Sequence, residues 1–346
     1  MSVERAMVLA AGLGTRLGPL TEERPKPLLP LLDLLLLHFP LLLLRQAGIC
    51  EVTVNLHHLG DQIRARVGDG ADLGLSVRYS EEKPRLLGTG GGIKRVRGRL
   101  EGGTFVVLNG DTLVDVDLPA VIAEHARSGA VATMLLAEAR AERDFGVVRV
   151  DEASDVRDIS GRMGWKEAGR IGHFCGIHVI EPRIFDFMPE EEVFCINADV
   201  YPRVVAAGER VHGCFLARTF HDVGTPARYL ETAEALLDGR LAPAYAAEAM
   251  AGAAGDLRTL PGGIRIARSA RVDPTARLLG PLHVGPEAVI GAGALVGPWV
   301  ILGARARADR GSRARHAILW EGARLAAGET IERAVLTPHR RVAAVS

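Results

Sequence analysis

Ile266, Val272, Leu278, Val284, Ile290, Val296 and Leu302 recur every six residues without a slip, and nothing else in the chain limits its fold as tightly. Ala270, Ala276, Ala288 and Ala294 stand two places before four of them. Gly285, Gly291, Gly297 and Gly303 follow directly after the last four. A six-residue period of this length predicts short strands stacked in a solenoid, with one aliphatic side chain per face pointing inward and small residues at the corners. After Leu302 the register breaks, and it resumes at Leu319, Leu325 and Ile331, which predicts a slipped turn or small insertion around 305–316. That segment carries Arg305, Arg307, Arg310, Arg313 and Arg315, readable as a surface for an anionic ligand or neighbouring subunit, or as a solvated face.

Upstream the pattern changes. β-Branched runs at 51–55 and 105–108 alternate with helix-like segments at 59–67 and 118–128, the rhythm of a doubly wound α/β sheet. Further strands are expected at 6–10, 131–136, 146–150, 172–180 and 211–217, with a closing helix at 226–237. Residues 239–263 are rich in alanine and glycine and read as a connector with some helix. The expected organisation is a catalytic domain over 1–240, a linker over 241–262 and a repeat domain over 263–340.

A chain of 346 residues with 48% hydrophobic content can bury the cores of two or three domains. Lys+Arg 42 against Asp+Glu 42 leaves no basic excess, so neither a nucleic-acid nor an anionic-membrane partner is expected. Cys50, Cys175, Cys195 and Cys214 have no CxxC spacing, which predicts buried reduced thiols, with no zinc site or disulfide framework. The N-terminal apolar run is too short for a secretory signal. The leucine-rich stretch 28–44 is interrupted by Pro30, Asp33, His38 and Pro40 and reads as a loop feeding a buried helix, short of a membrane span. A cytoplasmic location is expected.

Chemistry concentrates in residues 9–30, where the first strand runs into a glycine-broken loop and then a basic segment. Gly12 and Gly14 permit conformations closed to other residues and let backbone N–H groups approach an anion. Thr15 adds a hydroxyl, Arg16 a planar fork suited to phosphate oxygens, and Lys26 a point charge that can follow a moving phosphate. Ligands of such sheets sit beyond the carboxyl ends of the strands, where this loop would lie. Two standard phosphate motifs are absent: Leu17 replaces the third glycine of the dinucleotide fingerprint, and no GxxxxGK[ST] occurs. An ordinary turn with surface charges is the alternative.

The longer string, Gly12-Leu-Gly-Thr-Arg16 followed by Pro19, Thr21 and Pro25-Lys26-Pro27, resembles the signature of the sugar-nucleotide pyrophosphorylases. These nucleotidyltransferases join a sugar 1-phosphate to a nucleoside triphosphate. The repeat, likewise, resembles the hexapeptide repeat of left-handed parallel β-helices. Together the resemblances imply a doubly wound, Rossmann-like nucleotidyltransferase domain followed by a short left-handed parallel β-helix. They also imply Mg²⁺ as cofactor, with Ala11, Gly12, Gly14 and Thr15 at the nucleotide. Arg16 would stabilise the leaving pyrophosphate, and Lys26 the α-phosphate and attacking group. Asn109-Gly-Asp111 and Phe220-His-Asp-Val-Gly-Thr-Pro226 resemble the family's metal-site motifs, which assigns Asp111 and Asp222 to the metal. An isolated strand-end aspartate is otherwise a cap or turn former, and Asp115 and Asp117 read as surface and N-cap residues.

Leu87-Gly-Thr-Gly-Gly-Gly-Ile93 resembles the segment facing base and ribose, through Thr89 and Gly90; a loop without ligand is the other reading. Where the family has a Glu-Lys pair for the sugar phosphate, this chain reads Ile159-Ser-Gly-Arg162, so Arg162 replaces the lysine, with Lys166 second. Asn197 and Cys175-Gly176 lie where the family lines its sugar pocket, although a capping asparagine would look the same.

The continuation Gly224-Thr-Pro-Ala-Arg-Tyr-Leu230, with the repeat, looks most like mannose-1-phosphate guanylyltransferases, which implies GTP and mannose 1-phosphate. Uridylyl or thymidylyl transfer to an N-acetylmuramate- or glucose-type sugar 1-phosphate is the alternative. A non-catalytic regulatory subunit would be expected to lose charged positions that are present here. Acyl transfer through the repeat would need a base such as His283, His316 or His339, but only about four coils fit, so the β-helix is expected to mediate homo-oligomerisation.

Overall fold

Ala6, Met7 and Val8 are buried on both faces of one strand, Arg5–Leu9, the condition of a central parallel strand. It pairs in parallel with Phe105–Asn109 on one side and Glu51–Leu56 on the other, and Ser76–Glu81 adds a fourth parallel strand. Beyond Phe105–Asn109 the sheet turns antiparallel at Arg170–Ile180, which also pairs with Val147–Val150 and Ala132–Glu138. Val156–Ile159 and Val211–Cys214 complete nine strands, so the doubly wound order holds for the parallel half and the whole sheet is mixed. The computed structural model describes residues 3–139, 146–253 and 256–345. They form two compact units, Met1–Leu13 with Phe39–Phe220 and Gly14–His38 with His221–Ser346.

Helices of the first unit begin and end where their chemistry dictates. Leu118–Ser128 starts at Asp117, whose carboxylate accepts from the Ala120 N–H at 3.2 Å, and stops at left-handed Gly129. In His38–Gln46 every residue from Phe39 to Leu44 is buried, which is why that leucine-rich run is apolar all round. Among the described residues no helix is long and apolar enough to cross a membrane. Of the four free cysteines, Cys175 and Cys214 are buried as expected, but Cys195 is half-buried and Cys50 is exposed.

His178 lies in this core, fully buried, and burial holds its pKa down to about 3. The imidazole stays neutral, and its Nδ1 shares a hydrogen bond with the Tyr201 hydroxyl at 2.7 Å. An unfolded histidine titrates near 6.5. Between that pH and 3 the unfolded chain therefore binds the extra proton, and stability falls as pH falls, by up to about 1.4 kcal/mol per pH unit. Urea unfolding between pH 7 and 5 is expected to show a shallower pH slope for His178→Leu than for the native chain. Equal slopes would remove His178 as a source of acid lability.

The second unit contains the solenoid, a parallel β-helix. Ile266 aligns with Val284 and Leu302, Val272 with Ile290, and Leu278 with Val296, so each coil takes three hexads. Ile266, Val284, Ile290, Val296 and Leu302 form one core with half-buried Val272 and Leu278 packed against it, and each fully buried aliphatic side chain contributes about 1.5–3 kcal/mol. Corner glycines are needed where coils meet: a Cβ on Gly291 or Gly303 would lie 2.8 Å from a backbone nitrogen of the next coil. Of the two expectations for 305–316, the structure shows the slipped turn and no insertion. Ala308 and Ala314 keep the six-residue step with methyl groups pointing inward, and one residue is then missing: Val284 pairs with Leu302, but Leu302 pairs with Leu319, one position early. The shortened corner is at His316, with φ +46°, and recurs at Arg333, φ +45°. Several of the arginines are matched by acids: Arg305 pairs with Glu321, Arg307 with Asp309 and Arg315 with Glu332. Within the connector, Leu257–Leu260 is an unexpected strand that pairs antiparallel with Ile264–Ala267.

Candidate active site

Asp222 gathers three cations. It ends the strand Thr219–Asp222, and its side chain is 11% exposed. Arg228 Nη1 lies 3.2 Å from its Oδ2, Lys26 Nζ 3.8 Å from its Oδ1 and Arg16 Nη2 4.0 Å from its Oδ2. Gly224 makes room for them, since a Cβ there would lie 2.6 Å from Asp222 Oδ2 and 3.1 Å from Arg16 Nη2. One residue on, Thr225 accepts from the Arg228 N–H and caps the helix Pro226–Leu237, which fixes Arg228 beside the carboxylate. Three positive charges around one negative charge leave a surplus suited to phosphate oxygens.

The loop that supplies two of those cations is bent by Gly14, φ +66°, and held by Thr21, whose hydroxyl hydrogen-bonds with the Gly18 carbonyl at 3.0 Å. A Cβ on Gly14 would meet Thr21 Cγ2 at 2.9 Å and Lys26 Cβ at 3.1 Å. Lys26 is buried in the turn Lys26–Leu28, whereas the Arg16 side chain is 66% exposed and makes no hydrogen bond among the described residues. Gly12 differs from the expectation: its φ is not positive and nothing lies within 4 Å of its would-be Cβ, so it contributes a bare backbone and no special conformation.

In the first unit the strand ends are tied by a buried network that sequence reasoning missed. The Ala10 N–H donates to Asn55 Oδ1 at 2.7 Å, Asn55 Nδ2 donates to Glu82 Oε1 at 2.7 Å, and Glu82 Oε2 accepts from the Leu87 N–H at 2.8 Å. The only signal was a polar residue at the carboxyl end of each strand. Asp111 sits in the turn after Phe105–Asn109, which is pinned by the Gly110 N–H to the Leu9 carbonyl at 2.9 Å. The 88–92 glycines are a packing device: a Cβ on Gly90 would lie 2.3 Å from the Phe194 ring, and one on Gly91 2.1 Å from the Glu192 carbonyl oxygen. Thr89 Oγ1 accepts from the Ile196 N–H at 3.0 Å on the same side.

In the segment expected to meet the sugar phosphate, Asp158, 1% exposed, accepts from the N–H groups of Gly161, Met163 and Gly164 and folds the turn that carries exposed Arg162. Asn197 lies in the π-helical turn Ile196–Val200. The capping role falls to Asp199, which accepts from the Cys195 N–H at 2.7 Å, while Asn197 Oδ1 is buried and meets no donor among the described residues. Cys175 and Gly176 lie inside Arg170–Ile180, at the register shift, where a Gly176 Cβ would lie 2.9 Å from Asn109 Cβ.

Two histidines considered for acyl transfer are committed elsewhere. His283, 1% exposed, donates from Nε2 to Asp33 at 3.0 Å, and His316 pairs with Glu234 at 2.8 Å and stacks on Trp299. Among the described residues no three His, Cys, Asp or Glu side chains converge as a zinc site requires. Mg²⁺ needs only one or two carboxylates and fills its shell with water and phosphate oxygens. The hard oxygens of Asp222, over the open Cα of Gly224, fit it.

An exposed guanidinium and a buried ammonium around one aspartate, with a glycine loop leaving the first strand of an α/β sheet, are the equipment of an enzyme that moves a phosphate-bearing group. The chain belongs to the nucleotidyl transferase family, whose model matches residues 5–239. It is 33% identical to mannose-1-phosphate guanylyltransferase of Mycobacterium tuberculosis, over 95% of this chain and 83% of that one. It is 29% identical to UTP–glucose-1-phosphate uridylyltransferase of Synechocystis over 86% and 82%, and 35% identical to N-acetylmuramate alpha-1-phosphate uridylyltransferase of Neisseria meningitidis over 67% and 97%. HddC from Yersinia pseudotuberculosis, complexed with GMP-PN, superposes with a TM-score of 0.56 at 25% identity, covering 68% of this chain and all of that one.

Proposed function

We propose that this nucleotidyltransferase joins mannose 1-phosphate and GTP to give a nucleotide sugar and pyrophosphate. The observation that carries the reaction type is the trio of cations around Asp222, with Arg16 exposed beside it. A phosphate oxygen of the sugar 1-phosphate attacks the α-phosphorus, and the bond to the pyrophosphate oxygen breaks. The nucleophile is already ionised near neutral pH, so no general base is needed, and positioning with charge neutralisation carries the rate. Lys26 binds the α-phosphate and the attacking group, and Arg16 binds the departing pyrophosphate.

Asp111 and Asp222 are the carboxylates assigned to Mg²⁺, which when bound neutralises phosphate charge. Ala11, Gly12, Gly14 and Thr15 present backbone and hydroxyl to the nucleotide, with Thr89 and Gly90 toward base and ribose. Arg162 takes the sugar phosphate, and the unmatched Asn197 Oδ1 supports a role in accepting from a sugar hydroxyl. The β-helix is assigned to joining copies of the chain.

The mannose and GTP assignment is supported by the mycobacterial relative, whose match runs through the repeat region, whereas the muramate relative matches 67% of this chain. Glucose 1-phosphate with UTP is the second reading, favoured by the Synechocystis relative. Pyrophosphate release from a matrix of nucleoside triphosphates against sugar 1-phosphates, with and without a chelator, is expected to peak at GTP with mannose 1-phosphate and to vanish with the chelator. A peak at UTP with glucose 1-phosphate would replace that assignment. Silence across the whole matrix would overturn the reaction.

A further inference from the structure

We infer that the β-helix is a working part of the transfer site in its own chain, because its side chains hold from both ends the segment that carries Lys26. The inference rests on the reading that Lys26 and Arg16 act on the phosphates. Ahead of Lys26, Glu23 Oε1 accepts from Thr337 Oγ1 at 2.9 Å, Glu22 pairs with Arg340 at 2.5 Å, and the Arg24 guanidinium lies 5.0 Å from the Trp320 ring centroid. Beyond Lys26, the Pro30 carbonyl accepts from the Tyr229 hydroxyl at 2.6 Å, and the Tyr229 oxygen in turn accepts from Trp320 Nε1 at 3.2 Å. Three residues further on, Asp33 accepts from His283.

These anchors are buried. Trp320, Thr337 and His283 are at most 2% exposed, and Thr337 Oγ1 is itself fixed by accepting from the N–H groups of His339 and Arg340. The other side of the site has the same support. The helix Pro226–Leu237, which brings Arg228 to Asp222, packs on the strands Arg313–Leu319, Thr330–Leu336 and Arg341–Ala343. The last coils therefore fix the separation between Lys26 and Asp222. Misplacing a catalytic group by about 1 Å can cost a hundredfold in rate. An exposed pair such as Arg340–Glu22 adds little to stability, so its loss separates positioning from folding.

The test uses the full-length chain with Arg340→Gln and, separately, Trp320→Phe, which keeps an aromatic ring and loses the Nε1 donor. Each variant is expected to keep its melting temperature within a few degrees and its oligomeric state. The kcat for pyrophosphate release should fall about five- to twentyfold with both KM values within about threefold, as for an interaction expressed in the transition state. Arg340→Lys should recover at least half of the loss. Native kcat in both folded variants, or a fall that merely tracks the folded fraction, would overturn the inference. Lys26→Met, run alongside, separates the two layers: native turnover there would remove the phosphate reading and this inference with it.

Discussion

Asp222→Ala is expected to lower kcat for pyrophosphate release by about a thousandfold, the scale seen when a preorganised charge is removed from a transfer site. The carboxylate is 11% exposed and faces Arg16, Lys26 and Arg228 at once. Without it the three cations repel one another, and one of the proposed carboxylates for Mg²⁺ is gone. Asp222→Asn isolates the charge, since the amide keeps the shape and cannot offset the cations. It should lose turnover to a similar degree while KM for the triphosphate holds or falls, because the surplus positive charge still attracts phosphate. Steady-state kinetics of the two variants check this, and a tenth or more of native turnover in either would take Asp222 out of the site.

Lys26→Met should lower kcat by about a hundredfold or more. Lys26 is 6% exposed, so methionine fills nearly the same volume and the change removes charge more than packing. Its stem is held under Gly14, where a Cβ would approach Lys26 Cβ to 3.1 Å. Arginine should not substitute, because a planar fork needs more room than a buried ammonium and presents its donors in a fixed geometry. Most of the effect belongs in kcat, since Arg16 and the backbone of the loop still bind the triphosphate in the ground state.

The sequence announced what is periodic or contiguous. The hexads predicted the coils because each strand needs an aliphatic side chain at one fixed step, and 118–128 and 226–237 carry their own caps. The one-residue deletion after Ala314 was hidden because Ala308 and Ala314 occupy core positions with residues that do not look like core. Ser76–Glu81 escaped notice because the strand lies at the end of the sheet order and mixes exposed polar residues with buried ones.

At the site, Arg16, Lys26 and Asp222 were legible as motif residues, and the structure brings these three together. The Ala10–Asn55–Glu82–Leu87 network was not, because its links join residues up to 45 positions apart. Nor could the loop's dependence on Trp320, Thr337 and Arg340 be read from a chain in which they lie about three hundred residues later.

The central claim, that Lys26 beside Asp222 acts on the phosphate being transferred, is tested most directly by the single-turnover rate of nucleotide-sugar formation in the native protein and in Lys26→Met, with triphosphate affinity measured on both. The account predicts a rate at least about a hundredfold slower in the variant, with affinity within about threefold. Equal rates would contradict it, and so would a loss that appears wholly in affinity.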